Sequence, residues 1–194
     1  NCPVLISLSC KNNKLTSIDL INDTKLEKLD CSNNNLSSLN VAGMTALNKL
    51  DCRNNQLTSL YAQGCLGLTF LNCFGNQLTS LSLQSCPSLY SVQINVNRFT
   101  DSGMTTLINS LRTCSSSYHA DLYVRSENSY EENVFTRYHL IAANNKNWDA
   151  WHFINGSWVK YTASLPGDVN DDGNVTISDV TSLIDIMLSN GTAP

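Results

Sequence analysis

A 21-residue period through the first half of the chain constrains its fold more than any other feature. Cys10, Cys31, Cys52 and Cys73 are 21 residues apart, and Asn13, Asn34, Asn55, Asn76 and Asn97 keep the same step. So do Leu5, Leu26, Leu47, Leu68 and Leu89, and so do Leu15, Leu36, Leu57, Leu78 and Phe99. One unit of this size cannot bury its apolar positions alone, whereas stacked units share a continuous core. In the unit Leu26 to Ala46, the pattern turns Leu26, Leu29 and Cys31 inward. Leu29-Asp30-Cys31 is then a short strand, because side chains alternate faces, and successive strands pair in parallel at about 4.8 Å. Asn34 falls where the chain leaves the strand. Its amide offers donors and an acceptor, enough to satisfy buried backbone groups of the turn and to bond to the next repeat. Leu36, Leu39 and Val41 fill the opposite, convex half of the core.

Written out, the unit reads L-x-x-L-x-C-x-x-N-x-L-x-x-L-x-L, which resembles the leucine-rich repeat. Over Cys2 to Leu111 the chain resembles bacterial cell-surface leucine-rich-repeat proteins with 21-residue repeats. The resemblance implies an α/β solenoid with a parallel sheet on its concave face, secreted or held at a cell surface. It also implies a non-catalytic binding module, since solenoids bind through that face. Three solvent-facing columns are expected there: Ser7, Lys28, Lys49, Phe70, Ser91; Ser9, Asp30, Asp51, Asn72, Gln93; and Lys11, Ser32, Arg53, Phe74, Asn95. They vary while the inward columns repeat. Lys28, Asp30, Lys49, Asp51, Arg53, Phe70 and Phe74 are therefore the candidate ligand-binding residues, for a protein or a surface glycan. Phe70 and Phe74 are the anchors, because aromatics are enriched at binding hot spots. The expected divisions are 1–113 for the solenoid, 114–165 for a cap and 166–194 for a calcium-loop segment, in a monomer.

The fifth turn departs from the pattern, with Ile94 in the cysteine column and Phe99 in a leucine column. Thr100-Asp101-Ser102 offers helix caps, and Met104, Leu107, Ile108 and Leu111 follow at helical spacing, predicting a helix over 103–113. Ala120 to Arg125 alternates and should add a last parallel strand. Val134, Tyr138, Ile141 and Ala142 suggest a second helix ending at Asn144-Asn145. Asn155-Gly156, between two aromatic-rich runs, is a type I′ hairpin signal that places Trp151, Phe153 and Trp158 on one face. That face either seals the open end of the solenoid or forms an exposed platform for stacking a carbohydrate.

After Leu165-Pro166-Gly167 comes an EF-hand-like loop. Asp168, Asn170 and Asp172 supply side-chain oxygens, Gly173 the turn, Asn174 its carbonyl, Thr176 a water or hydroxyl contact, and Asp179 the closing carboxylate. Calcium is the expected cofactor. Asp instead of Glu at the last position, and the apolar series Val180, Leu183, Ile184, Met187 and Leu188, resemble one repeat of a type I dockerin from Pro166 to about Ser189. The family carries two such repeats. The resemblance implies a cohesin-like partner and, as an alternative function, a scaffold component attached through this end.

Other chemistries find little support. Net charge is −4, unlike the basic patches of nucleic-acid binders. No apolar run approaches the roughly 18 residues of a membrane span. The chain opens at Asn1 without an initiator Met, so any signal peptide is expected upstream. The ladder cysteines are expected to be reduced, because equivalent Cβ atoms of stacked strands lie farther apart than a disulfide requires, while Cys2, Cys65, Cys86 and Cys114 stay open. His119, His139 and His152 lack metal-site spacing. Asp30 and Asp51, roughly 5 Å apart by strand spacing, are the one carboxylate pair that could suggest a glycosidase. The lysines and arginine around them point instead to a solvated, salt-linked surface.

Overall fold

The computed structural model describes residues 2, 4–20 and 22–162; the predicted calcium loop and the helix after it lie outside them. Asn1–Tyr161 form a compact unit. Each repeat contributes a three-residue strand: β1 (Ser7–Ser9), β2 (Lys28–Asp30), β4 (Lys49–Asp51), β6 (Phe70–Asn72) and β7 (Ser91–Gln93). All pair in parallel, with Leu8, Leu29, Leu50, Leu71 and Val92 in one row. Two further strands, β3 (Ser38–Asn40) and β5 (Ser59–Tyr61), pair on the opposite wall. The sequence had shown only that Leu39 points inward there.

The core between the walls is made of the repeating columns. Leu26, Leu47 and Leu68 are fully buried, as are Leu36, Leu57 and Leu78. Each contributes roughly 1.5–3 kcal/mol by leaving water. All eight cysteines are free. Cys52 and Cys73 donate their thiol protons to the carbonyls of Asn72 and Gln93, at 3.4 and 3.3 Å. In the second column, Cys65 and Cys86 donate to Val41 and Ala62, at 3.0 and 3.2 Å. Burial pushes the Cys31 and Cys73 thiols up to about 12 and Cys65 to about 11. They are protonated at neutral pH and behave as small hydrophobes with a weak donor.

The asparagine column ties the coils together, towards the preceding repeat instead of the next one as the sequence suggested. Asn76 Nδ2 donates to Cys73 O of its own coil at 3.0 Å and to Cys52 O of the coil before at 3.1 Å, while its Oδ1 accepts Leu57 N–H at 3.0 Å. Asn34, Asn55 and Asn97 repeat this pattern. The reason is that the strand end of the preceding coil leaves a carbonyl and a leucine N–H open towards the turn. The residue before each of these asparagines is left-handed: Asn33, Asn54, Gly75 and Val96 have φ of 54, 52, 64 and 55°. Asparagine tolerates this region. At position 75 a Cβ would meet Asn54 Oδ1 at 2.5 Å, which leaves glycine. Val96 is a β-branched outlier there, and its N–H is held by Glu131 Oε2 at 2.7 Å.

Beyond β7 the period breaks, but the sheet does not. Helix α1 (Asp101–Ser110) occupies the opposite wall. It begins two residues before the expected start, because Thr100 Oγ1 accepts Gly103 N–H at 3.0 Å and takes the N-cap. It ends early because Leu111 turns extended and Lys146 Nζ donates to the carbonyls of Asn109 and Leu111. Strand β8 (Ala120–Ser126) adds in parallel to β7, as its alternation predicted. Helix α2 (Arg137–Asn144) follows, then β9 (Trp148–Ile154) parallel to β8 and β10 (Ser157–Lys160) antiparallel to β9. Asn155 and Gly156, with φ of 50 and 77°, form the expected turn. Asn133 extends the asparagine column without the period: its Nδ2 donates to Ile94 O and Val124 O, and its Oδ1 accepts Phe99 N–H.

The rotation of α2 corrects the sequence reading. Leu140, Ala143 and His139 face inward, while Tyr138 is 85 % exposed and Ile141 is exposed too. The cap decides this. His139 Nδ1 accepts the Thr136 backbone N–H at 3.0 Å, and its Nε2 lies 3.1 Å from Thr105 Oγ1. This draws the histidine side into the core.

Candidate binding face

The solvent face of the main sheet holds all seven candidate ligand-binding residues, and six of them line two separate hollows, five in one and Phe74 in the other. The first is a shallow trough of about 300 Å³ lined by Lys28, Asp30, Lys49, Asp51 and Phe70, with Ser7 and Ser9 at its edge. The register sets Lys28 beside Lys49 and Asp30 beside Asp51. Asp51 lies 3.6 Å from the Arg53 guanidinium, and Asp30 lies 4.0 Å from Lys11 Nζ. Asp30 Oδ1 also accepts the Ser32 hydroxyl at 2.6 Å. Partial burial pushes the Asp51 carboxyl up, against the pull of the Arg53 amide and guanidinium. Among the described residues Lys28 and Lys49 form no ion pair, so the trough holds two unpaired lysines, Lys49 in register with Phe70 and Lys28 one strand further on. The trough is a mixed-charge surface. Such exposed pairs add about 0–1 kcal/mol of stability each and serve better to orient a partner than to hold the fold.

The second hollow is a cleft of about 440 Å³, lined by Phe74, Asn95, Ser126, Glu127, Asn128, Phe153 and Trp158. Of these, Phe74 was a candidate ligand-binding residue, Asn95 a position of the third column, and Phe153 and Trp158 belonged to the expected aromatic face of the hairpin. Phe70 and Phe74 sit two positions apart on one side of β6 and its continuation, so one β6 region feeds both hollows. Arg53 lines neither. Not every position of the predicted columns meets solvent: Ser32, Asn72, Ser91 and Asn95 are buried. Asn72 and Asp30 turn back to accept backbone N–H groups two residues on, at 3.1 Å each, and this folds the third column against the sheet.

The aromatic hairpin does not seal the solenoid end. Trp148 does that: it is fully buried and donates Nε1–H to Arg112 O at 2.9 Å. Trp151, Phe153 and Trp158 lie on the outward side. In register, Gln93 pairs with Tyr123 and Tyr123 with Trp151, while Phe153 pairs with Trp158. The second column of the face therefore runs on into the cap as tyrosine and tryptophan. Tyr123 and Trp151 stack at 6.3 Å, and Tyr123 and Phe153 meet Trp158 edge-on at 4.7 and 5.3 Å. Trp151 Nε1–H donates to Asp121 Oδ1 at 2.8 Å. Tyr123 could have been found from the sequence by extending the outward alternation through the strand that holds Leu122 and Val124. Nothing local marked Ser126, Glu127 or Asn128.

The three histidines are structural. His119 lies 2.8 Å from Asp149, which also accepts Lys160 Nζ at 2.8 Å. His139 is in the cap core, and His152 stacks on Tyr161 at 4.3 Å. Among the described residues no cluster of three or more His, Cys, Asp or Glu side chains is placed to hold a metal, and no helix is long and apolar enough to cross a membrane.

This architecture defines a leucine-rich-repeat solenoid, and residues 24–63 match the family model for leucine-rich repeats in two copies. Among solved structures, the chain is similar to the functional domain of InlJ from Listeria monocytogenes, described as including a cysteine ladder. The TM-score is 0.54 at 23 % identity, over 87 % of this chain and 33 % of that one. The chain thus spans about a third of that structure. No curated protein matches it significantly in sequence.

Proposed function

We propose that the chain is a non-catalytic binding module that captures a protein or surface glycan on the solvent face of its main sheet, outside the cell. The aromatics on both sides of the polar β7 positions Ser91 and Gln93 carry this reading. Phe70, Phe74, Tyr123, Trp151 and Trp158 share one face across repeats and cap, where a merely solvated surface would place polar residues. Leucine-rich repeats serve protein–protein binding broadly, and solenoids do so through this face. The free lysines of the trough add charge selectivity beside the Phe70 anchor.

The second reading, a scaffold part attached through its C-terminal segment to a cohesin-like partner, rests on the loop sequence alone. Asp168, Asn170, Asp172, Asn174, Thr176 and Asp179 form an all-oxygen donor set of the kind calcium takes, and it excludes softer metals. In a loop of the EF-hand kind, three aspartates without a cation would repel one another. Calcium is expected to stabilise this segment by mass action, not the repeats, whose core is apolar.

One experiment separates the two readings. Capture of a partner from surface extracts is compared in calcium and in chelator, and again after deletion of residues 167–194. Capture by the sheet face is expected to survive both treatments with affinity changed less than about threefold, under 1 kcal/mol. Loss of capture in both would assign the function to the C-terminal segment.

A further inference from the structure

We propose that the cleft between the repeats and the cap hairpin is a subsite for a neutral oligosaccharide. This rests on the reading of the sheet face as a binding surface and names a ligand for one part of it. The cleft volume, about 440 Å³, falls within the range of small-ligand sites, about 300–1,000 Å³. Its walls come from elements that the fold holds rigid. Glu127 N–H donates to Phe153 O at 3.1 Å, and Glu127 Oε2 accepts Asn155 N–H at 2.8 Å. The 126–128 turn is thereby fixed to the hairpin.

The lining combines two chemistries. Trp158 is wedged edge-on between Tyr123 and Phe153, yet it remains 39 % exposed. A ring locked this way binds with little further loss of side-chain freedom. Beside it stand hydrogen-bonding groups that lack donors. Asn95 is 5 % exposed, and its Oδ1 is a buried acceptor without a hydrogen-bond partner among the described residues. Such orphans are costly and rare in native proteins. Among the described residues only Glu127 Oε2 of that carboxylate takes a protein donor, so Oε1 is open to a ligand as well.

A ligand that fits must offer an apolar face to the ring and several O–H donors to Asn95 and Glu127. A pyranose does both, with C–H groups on its faces and hydroxyls around its rim. An apolar peptide side chain would cover Trp158 but leave both acceptors desolvated and unpaired. Among the described residues Glu127 is the sole charged residue on the cleft wall, so anionic sugars and phosphates meet a like charge.

The test titrates the full chain with a panel of neutral α- and β-linked gluco-, manno- and xylo-oligosaccharides, and with a heparin hexasaccharide as the anionic control. It is read by tryptophan fluorescence and calorimetry. At least one neutral oligosaccharide should saturate the chain. Trp158→Ala should weaken that binding by about tenfold or more, which corresponds to roughly 1.4 kcal/mol. Trp158→Phe should keep most of it, and Tyr61→Ala, an exposed position of β5 on the opposite wall, should leave it unchanged. Melting temperatures verify that the variants fold. The proposal is overturned if no neutral oligosaccharide binds at up to about 10 mM, where even a millimolar Kd would be seen. It is equally overturned if Trp158→Ala binds as the native chain does, or if the heparin fragment binds as tightly. Partner capture that depends on Phe70 while every oligosaccharide fails would reject the subsite and leave the binding-module reading standing.

Discussion

Asn76→Ala is expected to lower stability by about 2–4 kcal/mol, although it removes only one small polar side chain. The amide serves three backbone groups in two coils: Cys52 O, Cys73 O and Leu57 N–H, all at 3.0–3.1 Å. Alanine leaves Leu57 N–H buried without a partner, at about 1–3 kcal/mol, and takes one of two amide donors from each carbonyl, about 0.5–1.5 kcal/mol apiece; Cys52 O keeps Asn55 Nδ2 and Cys73 O keeps Asn97 Nδ2. For a chain of this size each kcal/mol moves the melting temperature by about 2–4 °C, so a fall of roughly 5 °C or more should be seen. Gln56→Ala provides the contrast. Gln56 is exposed, and its side-chain bond runs to Asn35 Oδ1 at 3.4 Å, so its loss should cost less than about 1 kcal/mol. Equal melting of the two variants would mean that the asparagine column does not bind the coils together.

Gly103→Ala reverses the usual helix rule. In an exposed helix the change would stabilise by about 1 kcal/mol. Here the new Cβ would fall onto the Thr79 carbonyl oxygen, with Thr79 C at 2.9 Å and Ser80 Cα at 3.1 Å. These are backbone atoms of the preceding coil, and Thr79 O is already fixed by Thr100 N–H at 3.2 Å. Relief requires α1 to lift away, uncovering Met104, Leu107 and Ile108, which are fully buried. Overpacking typically costs 1–3 kcal/mol; with a backbone partner and a helix face at stake, a loss of at least about 3 kcal/mol is expected. A melting temperature equal to or above the native one would show that α1 does not pack against this coil as described.

The repeats were legible because their physics is local and repeated. Each column recurs every 21 residues, so Leu29, Cys31 and Asn34 could be assigned from one unit and checked against the others. The cap was legible only where a local rule acts, as at the Thr100 cap and the Asn155-Gly156 turn. Its long-range choices were not. Asn133 continues the asparagine column from a position no period reaches. The face of α2 was misjudged because Val134, Tyr138 and Ile141 are apolar at nearly helical spacing, whereas the His139 contacts with Thr136 and Thr105 set the actual rotation. The binding face was half legible. Lys28, Lys49, Asp30, Asp51 and Phe70 follow from repeat position, but the cleft joins Phe74 to Ser126, Phe153 and Trp158, and only the pairing of β8, β9 and β10 brings these together.

The claim that the solvent face of the main sheet captures the partner is tested most directly by comparing two paired substitutions in one capture assay. Phe70→Ala with Phe74→Ala removes both aromatics of the β6 region. Tyr61→Ala with Leu66→Ala removes two comparably exposed apolar side chains away from that face, Tyr61 being in β5 on the opposite wall. Hot-spot aromatics cost about 2 kcal/mol or more when truncated. The first pair should therefore weaken capture by about thirtyfold or more with the fold intact, and the second should leave it unchanged. Undiminished capture by the Phe70 and Phe74 variant, or equal loss in both, would contradict the account.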